Sequence, residues 1–171
     1  MKEEAILKAA KKVIIEVNTA QNELLEGMHD IYFDVGTPPH RKAIPVTQAF
    51  DRIGSPYLEC DLDKIVAIVF TNASDRNSKF ADPDETSKRI AAQIIDFFSH
   101  EVKAGRLPKN LLPLQSGVGN VANAVLAGLL DAPFEDLTGY TEVLQDGMLD
   151  LIIAGKMKSA SATALSFSPD A

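Results

Sequence analysis

Between residues 110 and 167, apolar segments of strand length and of helical period take turns, and no other feature of this sequence narrows the possible folds as far. Residues 110–115 have strand length, 116–120 form a tight loop, and 121–130 form an Ala-rich helix. A strand over 137–143, a helix over 146–156 and a third strand over 162–167 follow. Strands joined through helices by short loops run parallel, because a parallel crossover needs an element that carries the chain back along the sheet. The expected class is α/β, an open, mainly parallel sheet flanked by helices.

The first half carries fewer such signals. Residues 3–12 are good helix formers, and the β-branched run 13–17 leads into Asn18. From 18 to 56 the breakers Gly27, Gly36, Pro38, Pro39 and Pro45 surround one strand-like piece, 30–33. A long loop of that kind is functional or packs on a partner. Residues 64–70, KIVAIVF, form an unbroken apolar run, the pattern of a strand covered on both faces. The polar stretch after it, with its join near residues 74–83, divides two expected lobes, 1–80 and 81–171. In the second lobe, Ile90, Ile94, Phe97, Phe98 and Val102 mark an amphipathic helix over 87–103 that Gly105 stops.

Composition removes several classes of function. With 46% hydrophobic residues in 171, the chain has the material for a real core. A net charge of -7 offers no basic surface for nucleic acid, and no segment reads as a signal or membrane span, so no nucleic-acid or membrane partner is expected. Cys60, the single cysteine, has no intrachain partner, and no zinc-ligand pattern accompanies it, which points to a reducing, cytoplasmic setting and no metal.

The chemistry concentrates in Gln115-Ser116-Gly117-Val118-Gly119-Asn120. Its two glycines clear side chains from the backbone, and a helix opens directly behind them. Such a turn presents unpaired N–H groups to a phosphate or a developing oxyanion. Glu142 falls at the C-terminal end of the next strand, where open α/β sheets place ligands, so turn and carboxylate are expected to face one crevice. Local pattern leaves alternatives open. A glycine-rich loop is as readily a tight connection, and a lone strand-end Glu is more often solvated than catalytic. Residues 117–122 also satisfy the dinucleotide fingerprint G-x-G-x-x-A, although that motif usually opens its domain, and here a lobe and a long helix precede it.

The runs Gly105-Arg106-Leu107-Pro108, Leu112 through Leu126 (LPLQSGVGNVANAVL) and Tyr140-Thr141-Glu142-Val143-Leu144-Gln145-Asp146-Gly147 resemble the acetyl-CoA hydrolase/transferase family, which includes acetate and succinate CoA-transferases. So do His29-Asp30-Ile31-Tyr32, Pro38-Pro39, Ile44-Pro45 and Asp51-Arg52-Ile53-Gly54. The resemblance implies a CoA-transferase fold of the NagB/RpiA-like type, incomplete here, with the end of an N-terminal lobe in 1–80 and the start of a C-terminal lobe in 81–171. It implies that Glu142 is the nucleophile and that the Val118 backbone, with Gly119, supplies oxyanion donors. Gly117, Asn120 and Arg76 become CoA-binding candidates.

The implied reaction moves CoA between an acyl-CoA and a short-chain carboxylate through a glutamyl-CoA thioester, with CoA as substrate and no tightly bound cofactor. Hydrolysis of acetyl-CoA, an inactive structural fragment and a dinucleotide-binding domain remain the alternatives. Family members are considerably longer, so another oxyanion donor and much of the CoA surface are expected outside these residues; a homodimer is what the family suggests. His29, His40 and Cys60 receive no role.

Overall fold

The structure, a computed structural model, describes residues 2–32, 36, 39–75, 77 and 82–168. Arg76, the CoA-binding candidate, and Phe33 of the strand-like piece lie outside the described residues. Two compact units divide the chain: Met1–Thr47 with Asp51–Arg76, and Gln48–Phe50 with Asn77–Ala171.

The first unit contains α1 (Lys2–Ala9), β1 (Val13–Asn18) and β2 (Ile65–Thr71), with β1 and β2 paired in parallel. The strand ends are tied by Asn18, whose Nδ2 donates to the Ala73 carbonyl at 2.7 Å and whose Oδ1 accepts from the Ala73 amide at 3.0 Å. In the long connection, the Asp30 carboxylate accepts from the amides of Ile53 (3.1 Å) and Gly54 (2.7 Å). Arg52 Nη2 donates to the carbonyls of Gly27 and His29, both at 2.6 Å. In the described part of the strand-like piece, residues 30–32, Ile31 makes an antiparallel bridge with Ser55. It passes so close that a Cβ on Gly54 would stand 2.3 Å from the Ile31 carbonyl oxygen, which only glycine permits.

The apolar run at β2 does not have the covered faces its pattern suggests. Val66, Ile68 and Phe70 on one face and Val69 on the other are exposed. This sheet is two strands wide, and its neighbours within the unit leave both sides open.

The second unit is built from α2 (Glu85–Lys103), α3 (Asn120–Asp131), β3 (Leu137–Gln145), α4 (Asp146–Ile153) and β4 (Met157–Ser166). Asp84 starts α2 two residues earlier than the apolar period indicates, because its carboxylate accepts from the Ser87 amide at 2.7 Å. Ala104 and then Gly105, at φ 72°, close it. β3 and β4 pair in parallel, and Leu114 adds a single parallel bridge on the other side of β3. The strand expected over 110–115 shrinks to that bridge because Leu111 (φ 63°) and Leu112 (φ 68°) occupy the left-handed region, incompatible with a strand. The turn they make delivers the Leu111 side chain to the core.

Helix α4 ends at Ile153 rather than 156, since Gly155 takes φ 73° and reverses the chain, and β4 consequently starts at Met157 rather than 162. Helix α4 packs on β3 and β4, and α3 packs on α4, burying Leu126, Leu129, Leu137, Met148, Leu151 and Met157 in one cluster. Phe98 of α2 meets Phe134 edge to face, with ring centroids 6.4 Å apart. This core fixes the height at which the 116–120 turn leaves the sheet edge.

Candidate active site: the 116–120 turn and the end of β3

Leu114 is locked to β3 by two hydrogen bonds, its amide to the Thr138 carbonyl and its carbonyl from the Tyr140 amide, both at 2.8 Å. Two residues later the ladder stops, and a side chain takes over. Thr141 Oγ1 donates to the Ser116 carbonyl at 2.9 Å and accepts from the Ser116 amide at 3.4 Å. Gln145 Nε2 then donates to the Gly117 carbonyl at 3.3 Å. Two successive turn carbonyls are thereby held by side chains of β3.

A peptide unit is planar and trans, so a carbonyl and the N–H that follows it point in opposite directions. Anchoring Ser116 C=O on Thr141 directs the Gly117 N–H away from Thr141. Anchoring Gly117 C=O on Gln145 likewise directs the Val118 N–H away from Gln145. None of the described residues accepts a hydrogen bond from the amides of Gly117, Val118 or Gly119. Helix α3 begins at Asn120 with no side-chain cap and no acid in its first turn, so nothing in that turn competes for these donors.

Gly119 sits at φ 146° and ψ 169°, a conformation confined to glycine, whereas a Cβ there would meet open space. The backbone therefore needs glycine at 119. Gly117 is required neither by dihedral nor by crowding, and the space in front of it is empty.

The turn forms part of the wall of a cleft of about 640 Å³. Gln115 to Ala122 line one side, and Ile94, Phe98, Val125 and Leu129 supply an apolar floor. Gly117, Val118, Gly119 and Asn120 are thus brought together, as the sequence implies. Glu142 is not among the lining residues. Along β3 the burial alternates, with Leu137, Gly139 and Thr141 inward and Tyr140 and Glu142 outward, so Glu142 and Thr141 project to opposite faces. Glu142 also precedes the strand end by three residues, because β3 runs on to Gln145. Its carbonyl accepts from Thr163 Oγ1 at 2.6 Å, which pins the backbone to β4, while among the described residues no partner reaches its exposed carboxylate.

Sequence reasoning missed Thr141 and Gln145. The available signal is a polar residue at an inward position of the strand; Thr141 is 7% and Gln145 2% exposed.

Parallel strands, packed helices and a strand-to-helix turn of open amides define the class, an α/β protein. No protein-family model matches the sequence. Over 164 residues the chain is 49% identical to an acetyl-CoA hydrolase of Schizosaccharomyces pombe, covering 96% of this chain and 31% of the relative. Over 161 residues it is 50% identical to the succinyl-CoA:acetate CoA-transferase of Clostridium kluyveri, covering 94% of this chain and 30% of that one.

The chain belongs to the acetyl-CoA hydrolase/transferase family and spans about three tenths of the length of these relatives. The crystal structure of RipA from Yersinia pestis superposes with a TM-score of 0.57 at 22% identity, over 98% of this chain and 32% of that one, a likeness of fold.

Proposed function

We propose that these residues carry the nucleophile and one oxyanion donor of an enzyme that moves CoA between an acyl-CoA and a short-chain carboxylate. The observation that carries the reading is the turn at 116–118. Its Ser116 and Gly117 carbonyls are held by Thr141 and Gln145, the residue before and the third residue after Glu142, and the Gly117 and Val118 amides have no acceptor among the described residues. Two relatives whose names specify acetyl-CoA hydrolysis and transfer between succinyl-CoA and acetate supply the substrate class.

In this reading the Glu142 carboxylate attacks the thioester carbonyl. The C–S bond breaks, CoA leaves as thiolate, and Glu142 holds an acyl anhydride. Thiolate returns to the glutamyl carbonyl, releasing the first carboxylate and leaving a glutamyl-CoA thioester. A second carboxylate repeats these steps in reverse and departs as the new acyl-CoA. At each tetrahedral stage negative charge collects on a carbonyl oxygen, and the Val118 and Gly119 amides are the donors for it. Gly117 and Asn120 at the opening of α3 suit a CoA phosphate or carbonyl, and Arg76 is a further candidate for phosphate.

The chemistry requires no metal or redox group, since carboxylate, thiolate and acyl group supply every bond. The outward position of Glu142 implies that the face it shares with Tyr140 receives the rest of the site from residues beyond this chain, in the same polypeptide or in a second copy. No helix among the described residues is long and apolar enough to cross a membrane, and the free thiol of Cys60 fits a cytoplasmic setting.

A second reading, hydrolysis, is favoured by the relatives named acetyl-CoA hydrolase. It shares the attack by Glu142 and differs in admitting water to the activated glutamyl group. Isotope exchange tests the shared step. With these residues present in a protein of the relatives' full length, labelled acetate should enter acetyl-CoA in the absence of any second acid, and Glu142→Gln should abolish that exchange. Exchange that persists in the variant overturns the assignment.

A further inference from the structure

The Gln145 side chain is 2% exposed, and only one of its two polar atoms has a hydrogen-bond partner among the described residues. Nε2 donates to the Gly117 carbonyl, and Oε1 has no partner among the described residues. A buried acceptor left unpaired is destabilising, so an apolar side chain of similar volume would serve packing better at this position. An amide here serves some purpose other than holding the core.

The geometry points to that purpose: we propose that Gln145 is the positioning residue that aims the Val118 amide at the reacting carbonyl. This rests on the reading of Glu142 and Val118 given above. Gly117 C=O and Val118 N–H belong to one rigid peptide unit, so whatever holds the oxygen sets the direction of the hydrogen. Ser116 Oγ also donates to that oxygen at 3.3 Å, but from within the turn itself, so Gln145 is the hold that ties it to β3. Neither flanking residue constrains the unit strongly, since Gly117 meets no neighbour around its Cα and the Val118 side chain is exposed.

Without Gln145 the peptide plane between 117 and 118 keeps only the Ser116 hydroxyl, which moves with the turn, and the donor swings off line. Donation by Nε2 also polarises the carbonyl, which strengthens the N–H at the other end of the same amide. Thr141 acts on the preceding unit in the same way, so the side chains on either side of Glu142 set the directions of two successive donors. Gln145 touches no substrate in this scheme and acts only through the peptide.

Gln145→Met tests the proposal, because Met fills a similar volume and donates nothing. In a protein of the relatives' full length, kcat should fall about ten- to a hundredfold, as for partial loss of an oxyanion donor, with the KM for acyl-CoA within about twofold. Tm should hold or rise. Gln145→Glu adds a pH signature: its carboxyl donates to Gly117 only when protonated, so its kcat relative to the unaltered protein should fall as pH rises. Unaltered kcat in Gln145→Met overturns the proposal, and so does a loss of kcat that only follows a lowered Tm.

A measurement on the 171-residue chain itself separates this proposal from the functional reading. If Gln145 holds the Gly117 carbonyl, the Val118 amide nitrogen resonance moves in Gln145→Met more than those of its neighbours, whether or not turnover occurs. A Val118 resonance that stays in place refutes the positioning role. An unaltered enzyme that forms no adduct on Glu142 refutes the functional reading alone.

Discussion

Thr141 Oγ1 donates to the carbonyl of Ser116 at 2.9 Å, in a place where a continuing sheet would have used a backbone amide. That substitution of side chain for main chain ends the ladder and lets the chain turn off the sheet edge into the glycine loop. Thr141→Val keeps the shape and removes the donor. It should destabilise the chain by about 1 kcal/mol, the Ser116 carbonyl keeping the Gln115 Nε2 donor at 3.1 Å. Thr141→Ser should recover most of that. Chemical denaturation of the three proteins decides it, and equal midpoints for Val and Thr would show that the contact is incidental.

The core that carries the turn is more sensitive. Leu137, at the start of β3, is 0% exposed and lies in the cluster with Met148 and Leu151. Leu137→Ala should cost about 2–5 kcal/mol, the range for cavities that collapse incompletely. A loss below 1 kcal/mol in urea unfolding would mean that the helices close over the gap.

The start of α2 should respond to pH. The Ser87 amide, and then its hydroxyl, hold the Asp84 carboxyl below its ordinary value of 3.8. A lowered folded value means that ionised Asp84 contributes stability above the unfolded value and that this contribution fades as pH falls through the folded one. Protection of the first-turn amides of α2, taken relative to their intrinsic exchange rate, should therefore fall below about pH 4 in the unaltered chain, and should change less in Asp84→Asn, whose amide oxygen still caps but does not titrate. Parallel profiles for the two would remove Asp84 as the cause.

Much of this architecture is legible in the sequence, and the failures share a cause. The alternation after residue 110 gives two helices and the β3–β4 pair, because period and length are local properties. Residues 111 and 112 read as strand because two leucines look apolar in any conformation, and their left-handed backbone is set by the turn that buries Leu111. The face that each side chain of β3 presents depends on register. Spacing places Glu142 near the 117–119 turn along the sheet and says nothing of its projecting opposite Thr141. In the sequence Gln145 is one letter of a motif, and its contact is not visible because its partner stands 28 residues away.

The β1–β2 pair carries its own test. A parallel pair with apolar side chains on both faces is ordinarily covered on both, yet Ile68 is 56% and Phe70 72% exposed here. The 171-residue chain should bind a hydrophobic dye. Ile68→Lys with Phe70→Lys should reduce that fluorescence while amides of β3 and β4 keep their exchange protection. Dye binding untouched by the double substitution would place the exposed surface elsewhere.

The assignment of Glu142 as nucleophile is tested most directly by intact-mass analysis after incubation with acetyl-CoA, on a protein that carries these residues at the relatives' full length. The expected result is a CoA adduct that peptide mapping places on Glu142, that borohydride removes by reducing the thioester, and that Glu142→Gln does not form. An adduct that survives Glu142→Gln, one that maps to another residue, or turnover of the unaltered protein with no covalent species at any time would contradict it.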